Sequence, residues 1–347
     1  MSDAATEGLR LQAGVCRTMG SELTAQVLEA AAADALAGGP SAALLRPWAQ
    51  ADLKTVMFDA MPLRLAAAIH DLALSGEEPE LSAAYVALDP VRIWTVARAR
   101  IGEHAARLAR FMEHEPQTNE VRRSICLLGG FLTVARETGL PLRCFEVAAS
   151  AGLNLSWDSY RHELAGRAWG DPAARVRMDT DWSGSLPPLE APVRVVERAA
   201  CDRRPTELSD PDQRRRLLAY YWPDQVGRLA RIRAAIDQAV ETGVAVEQAD
   251  AVDWLRARVR PRAGTASVVY HSVFWTYLSA GTQGAFMAAV GALGGEASAE
   301  APVAHLSIEP RPTDLSIMEV RLRLWPGGEE RLLAECQPHG AWVRWLA

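Results

Sequence analysis

Leu142-Arg-Cys-Phe-Glu-Val-Ala-Ala-Ser-Ala-Gly-Leu-Asn154 is the stretch on which the fold of this chain turns. Its apolar residues are nearly continuous up to Val147, as in a parallel strand covered on both faces. A turn of small residues follows, and the pattern over 153–164 predicts an amphipathic helix. Small residues let a ligand approach the backbone, and a helix start offers free N–H groups and a positive dipole end. A nucleotide-type cofactor site is the architecture expected of such a segment, and small-molecule binding is the first hypothesis.

Outward from this stretch the texture of the chain differs on its two sides. Residues before about 138 read as helices, with apolar positions at helical spacing over 22–37, 63–74 and 91–111. Gly-Gly-Pro, Asp-Pro and the segment 76–79 break them. After Leu140, short apolar strands alternate with helical patterns, the signature of an α/β sheet. Strands are predicted at 142–147, 193–197, 244–248, 267–271 and 303–308. A long helix is predicted over 212–241, broken at Trp222-Pro223, and a shorter one over 251–258. Residues 163–192, rich in Gly, Pro and Trp, read as an insertion with room for its own hairpin. Near the end, 319–325 and 331–336 flank Pro326-Gly327-Gly328, a hairpin signal, and 341–346 reads as one more strand. The fold class is therefore α/β: a mostly parallel Rossmann-like sheet over 139–347 with a C-terminal antiparallel hairpin, preceded by an all-helical N-terminal domain over 1–138.

Composition narrows the class of function. The chain has 347 residues, 49% hydrophobic and 23% charged, with a formal net charge of −6. An acidic balance argues against a general nucleic-acid binder and against docking on an anionic membrane. No apolar run is long enough to cross a bilayer, and the amino terminus lacks the pattern of a signal peptide. Five cysteines without a Cys-x-x-Cys pair and seven histidines without ligand spacing indicate neither a disulfide framework nor a metal site. A reduced, cytoplasmic protein with a small-molecule ligand is expected; the oligomeric state is not legible.

The order of elements resembles the class I S-adenosylmethionine-dependent methyltransferase fold. In that class the first strand ends in an acidic residue and a Glu/Asp-x-Gly-x-Gly-x-Gly turn. Here Glu146-x-Ala148-x-Ser150-x-Gly152 stands in that place, followed by Asn154, and only the last glycine is kept. The resemblance implies that Asp202, in an acid-then-proline pattern with Pro205, holds ribose hydroxyls. It implies that Asp250, closing the third strand, meets the adenine amino group. A carboxylate suits the first role because it accepts two hydroxyl hydrogen bonds. The alternative is an ordinary strand–helix turn that binds nothing.

The fourth strand runs into Tyr270-His271-Ser272-Val273-Phe274-Trp275-Thr276-Tyr277. His271 is the candidate general base, because an imidazole titrates near neutral pH. The alternative is a histidine satisfied inside the core. Trp275 and Tyr277 would flank the same cleft. Upstream, Thr118, Asn119 and Glu120 form a polar cluster ahead of an apolar helix. They read as a helix cap or as a lid over the cofactor.

Gln117-Thr-Asn-Glu120, Glu146 through Asn154, Asp158-x-Tyr160-Arg161, Cys201-Asp202-x-x-Pro205, Trp222-Pro-Asp-Gln225, Tyr270-His-Ser272 and Trp325-Pro-Gly-Gly328 together resemble bacterial domain-of-unknown-function family 2332. That resemblance supplies a family and no reaction. The expected function is methyl transfer from S-adenosylmethionine to a small or medium acceptor, with a non-catalytic nucleoside-binding or scaffold role as the alternative. A nicotinamide-dependent oxidoreductase is disfavoured, since Ala148, Ser150 and Ala151 violate Gly-x-Gly-x-x-Gly.

Overall fold

The computed structural model describes residues 3–347. The chain divides into two compact units. The first comprises the residues up to Thr118 together with Asp210–Ala230, and the second comprises Asn119–Ser209 and Arg231–Ala347. Helix Arg123–Thr138, which the sequence places with the helical leader, falls in the second unit.

The first unit is helical. Ser21, Asp52 and Asp89 cap helices by accepting backbone N–H groups through their side chains, and Gly76 ends Met61–Ser75 in a left-handed conformation. Leu9, Leu28, Leu45, Met61 and Leu65 are fully buried among many small alanines. The alanines let helices approach closely, so burial rather than large side chains supplies the stability. The segment expected as one helix over 91–111 is two, Pro90–Arg100 and Ala105–Met112. Tyr220 and Trp222 join this core. Buried Asp71 receives Arg107 at 2.7 Å and Arg215 at 2.9 Å, which ties Pro211–Ala219 into the unit.

The second unit is built on one mixed sheet. Its strands are β1 (Leu142–Val147), β2 (Arg161–Leu164), β3 (Arg167–Trp169), β4 (Arg177–Ser183), β5 (Val195–Asp202), β6 (Glu247–Gln248), β7 (Ala266–Ser272), β8 (Val303–Arg311), β9 (Asp314–Trp325), β10 (Glu330–Cys336) and β11 (Trp342–Trp345). They lie in the order β3-β2-β4-β11-β10-β9-β8-β7-β1-β5-β6. The run β6-β5-β1-β7-β8 is parallel, whereas β8, β9, β10 and β11 pair antiparallel in succession. β1 is therefore an interior strand, central to the parallel run, with parallel neighbours on both sides. It matches the predicted span, and its one basic residue, Arg143, is held by Glu197 at 2.7 Å and by the Arg260 carbonyl at 2.7 Å.

Alternation along the strands sorts the site residues onto two faces. Phe145, Val147 and Val269 join the core that includes residues of Ala251–Arg258 and Ala280–Gly295. Glu146 and Tyr270 face the other way, where Phe131 of Arg123–Thr138 meets the Tyr270 ring edge-on at 5.0 Å.

Three local predictions are corrected. The helix expected over 153–164 is a 3-10 segment, Leu153–Ser159, followed by β2. Trp157 stacks on Phe131 at 4.1 Å, and Tyr160, His162 and Leu164 are buried at every second position, so the apolar pattern there belongs to a strand. β5 starts later and runs further than 193–197, because the small residues Ala199, Ala200 and Cys201 continue the buried strand. Only Glu247 and Gln248 of 244–248 join the ladder, as β6. Val244 and Val246 instead lie against Gly152, where an added Cβ would come within 2.9 and 2.8 Å of their methyl carbons.

Candidate functional site at the carboxyl ends of the central strands

The turn after β1 has an alternating backbone. Ala148, Ser150 and Gly152 all adopt left-handed conformations, with φ of 55°, 54° and 71°. Two of the three are not glycine, and such positions are strained and held only by their surroundings. Asp202, at the end of β5, supplies much of that hold. One carboxylate oxygen accepts the Ser150 N–H at 2.8 Å and the other the Arg204 N–H at 2.8 Å. The Thr206 N–H bonds the Ser150 carbonyl at 3.0 Å.

The N–H groups expected to be free for a ligand are largely engaged. Besides Ser150, the Gly152 N–H bonds the Ala149 carbonyl at 2.8 Å and the Leu153 N–H bonds the Asn119 side-chain oxygen at 2.7 Å. Asn119 does not cap Arg123–Thr138, whose N-cap residue is Arg122 and makes no side-chain cap hydrogen bond. Glu120 lies nearer that role, accepting the Arg122 N–H at 3.2 Å. Its carbonyl receives the Asn154 amide at 3.4 Å. Thr118 ends the first unit and is half-buried. Replacing buried Asn119 by alanine should cost about 1–2 kcal/mol, because it orphans a buried N–H; equal denaturation midpoints for variant and parent would refute this role.

Glu146 is almost fully buried, with the Tyr270 hydroxyl 3.3 Å from its carboxylate. Burial pushes its pKa up to about 8, against the partial relief of the tyrosine hydrogen bond. It is therefore a neutral acid near pH 7, able to donate a hydrogen bond. Close in sequence, the Ser150 hydroxyl and the Asn154 side-chain oxygen are buried with no hydrogen-bond partner among the described residues. Asp250 caps Ala251–Arg258, accepting the Val252 N–H at 2.9 Å, so its carboxylate is engaged at the helix start.

His271 occupies the opposite face of the sheet from Glu146. The β1–β7 register pairs Glu146 with Tyr270, so the next residue points to the other face of the sheet. The imidazole is 1% exposed and hydrogen-bonded at both nitrogens, Nδ1 to Glu309 at 2.7 Å and Nε2 to His305 Nε2 at 3.0 Å. Trp275 stacks nearly parallel on it at 5.6 Å, and Phe286 meets it edge-on. Tyr277, in the same 3-10 turn, is exposed. Burial, then the neighbouring His271 and Arg323, hold the His305 pKa well below its usual range, so His305 is neutral. His305 and Glu309 were not singled out in the sequence, and Tyr270 was quoted there without a role. His305 and Glu309 carried a usable signal, since they are four apart on one strand and share a face.

A possible cation cluster lies elsewhere. Among the described residues, Glu78, Glu103 and His104 are the one group with metal-ligand proximity. Arg100 already pairs with both carboxylates, at 3.3 and 3.1 Å. No helix of the described residues is long and apolar enough to cross a membrane.

Comparison with known proteins gives one match. Residues 6–345 fit the family described as "Uncharacterized protein conserved in bacteria (DUF2332)". No curated protein and no solved structure matches the chain.

Proposed function

The chain belongs to this uncharacterised bacterial family, and we propose that it binds a nucleoside-type small molecule, S-adenosylmethionine foremost, at the carboxyl ends of β1, β5 and β7 and transfers its methyl group to a small or medium acceptor. The observation that carries this proposal is the backbone of 148–152. Although Ala148 and Ser150 replace glycines, both hold the left-handed φ for which glycines are commonly used. The turn lies where the strand order departs from β1 in both directions, the crevice in which open α/β sheets bind ligands.

The residues present suit such a ligand in part. Each Asp202 oxygen has a second lone pair for a ribose hydroxyl beyond the N–H it already accepts. The unpartnered Ser150 hydroxyl and Asn154 oxygen offer further polar contacts, and neutral Glu146 offers a donor. The sulfonium, when bound, is itself the activated methyl donor, so the protein's share is chiefly to align the two reactants. A non-catalytic nucleoside-binding role is the second reading, favoured by Ala148 and Ser150 standing in place of the glycines of the methyltransferase turn.

Calorimetry with S-adenosylmethionine, S-adenosylhomocysteine and NAD separates these outcomes. Micromolar binding of the first two and none of NAD is expected. Binding without methyl transfer to any of a panel of small acceptors would favour the second reading. Absence of binding by either sulfur compound would overturn both.

A further inference from the structure

We propose that Glu309 is a positioning residue of this site: its carboxylate fixes the loop after β7 and sets the tautomer of His271. The inference rests on the proposed ligand site, since that loop leaves β7 beside the turn of β1. Glu309 stands at the carboxyl end of β8, the strand next to β7. Its carboxylate faces three donors. One oxygen accepts the Phe274 N–H at 2.8 Å and His271 Nδ1–H at 2.7 Å, and the other accepts the Trp275 N–H at 3.2 Å.

The loop needs such an anchor. Val273 is left-handed, with φ of 56°, a conformation that a β-branched side chain rarely adopts. Its own N–H bonds the Ile308 carbonyl at 2.8 Å, so β8 grips the turn on both sides of the strained residue. Releasing Glu309 would free Phe274 and Trp275 to follow the less strained backbone.

The same carboxylate orders the two histidines. In the tautomer we assign, His271 gives Nδ1–H to Glu309 and keeps a lone pair at Nε2. His305 must then donate from its own Nε2, which is 3.0 Å away. This tautomer satisfies the buried contact with His305 as the neutral partner. Trp275, stacked on His271, is thereby held in place from both its ring and its N–H.

Glu309→Gln in the full chain tests the assignment, because glutamine keeps the length but turns one acceptor into a donor facing an N–H. Amide exchange over 273–278 should accelerate at least about tenfold, the effect of losing a charged hydrogen bond, while exchange in the interior of β1 stays as in the parent. Affinity for S-adenosylhomocysteine should fall about tenfold through loosening of the loop. In histidine-labelled parent protein, nitrogen NMR should show His271 protonated at Nδ1 and unprotonated at Nε2, identified by comparison with His271→Asn. Unchanged exchange in the glutamine variant, or the opposite tautomer in the parent, overturns the proposal. If the parent binds no S-adenosylhomocysteine, the proposed function fails, while the exchange and NMR measurements still decide the role of Glu309. The NMR measurement on the parent also decides it should the glutamine variant not fold.

Discussion

Asp202→Ala is expected to lower the unfolding free energy by about 2–4 kcal/mol in the absence of any ligand. The variant loses the acceptors for the Ser150 and Arg204 N–H groups, and hydrogen bonds to a charged group contribute about 1.5–3 kcal/mol each before partial rehydration. It also releases the left-handed turn at 148–152, which nothing else pins at Ser150 N. Asp202→Asn, which keeps one acceptor oxygen, should lose less. Urea denaturation at neutral pH reads the difference. An unchanged midpoint for the alanine variant would mean that Asp202 is free for a ligand, as its place in the sequence suggested. The structure instead gives Asp202 a holding role first, with ligand contact added to it.

Glu146 gives the second large effect, and its sign is set by burial. Its folded pKa of about 8 lies above the ordinary value of 4.5, so the folded protein keeps a proton that the unfolded chain releases. Stability contributed by this group is therefore fully present below pH 4.5 and is lost as pH rises through 8. The full loss is about 5 kcal/mol at 1.36 kcal/mol per unit. Glu146→Gln removes the titration while retaining a neutral side chain of the same shape. The stability of the parent relative to this variant should fall by up to that amount across the same interval. Denaturation midpoints in a series of buffers give the test; parallel pH profiles would show that Glu146 is ionised in the fold. The same experiment bears on the proposed site, since a neutral acid there donates to a ligand and does not repel an anionic one.

Much of the architecture was legible because hydrophobic periodicity is a local property. The span of β1, the break at Trp222-Pro223, Ala251–Arg258 and the hairpin around Pro326-Gly327-Gly328 all follow from neighbours in sequence. Where the sequence misled, a distant contact decided. Leu153 through Leu164 carries enough apolar residues for a helix, yet Phe131 takes Trp157 and the remainder pairs with β4. His271 was placed beside Gly152 because its strand ends there. One position of register decided that Tyr270 meets Glu146 and that the imidazole turns to the other face.

By itself, the sequence determined the α/β class, the central strand and the acidic residue that ends it, because chain composition and alternation act over a few residues. It also determined membership of a family whose pattern spans residues 6–345. Only the tertiary structure decided what the polar residues do. Whether Asp202 is free or engaged, whether Glu146 is charged, and which partner holds His271 depend on groups tens to more than a hundred positions away. Hydrogen bonding and desolvation act through space, and no local pattern in the chain records who will be the neighbour.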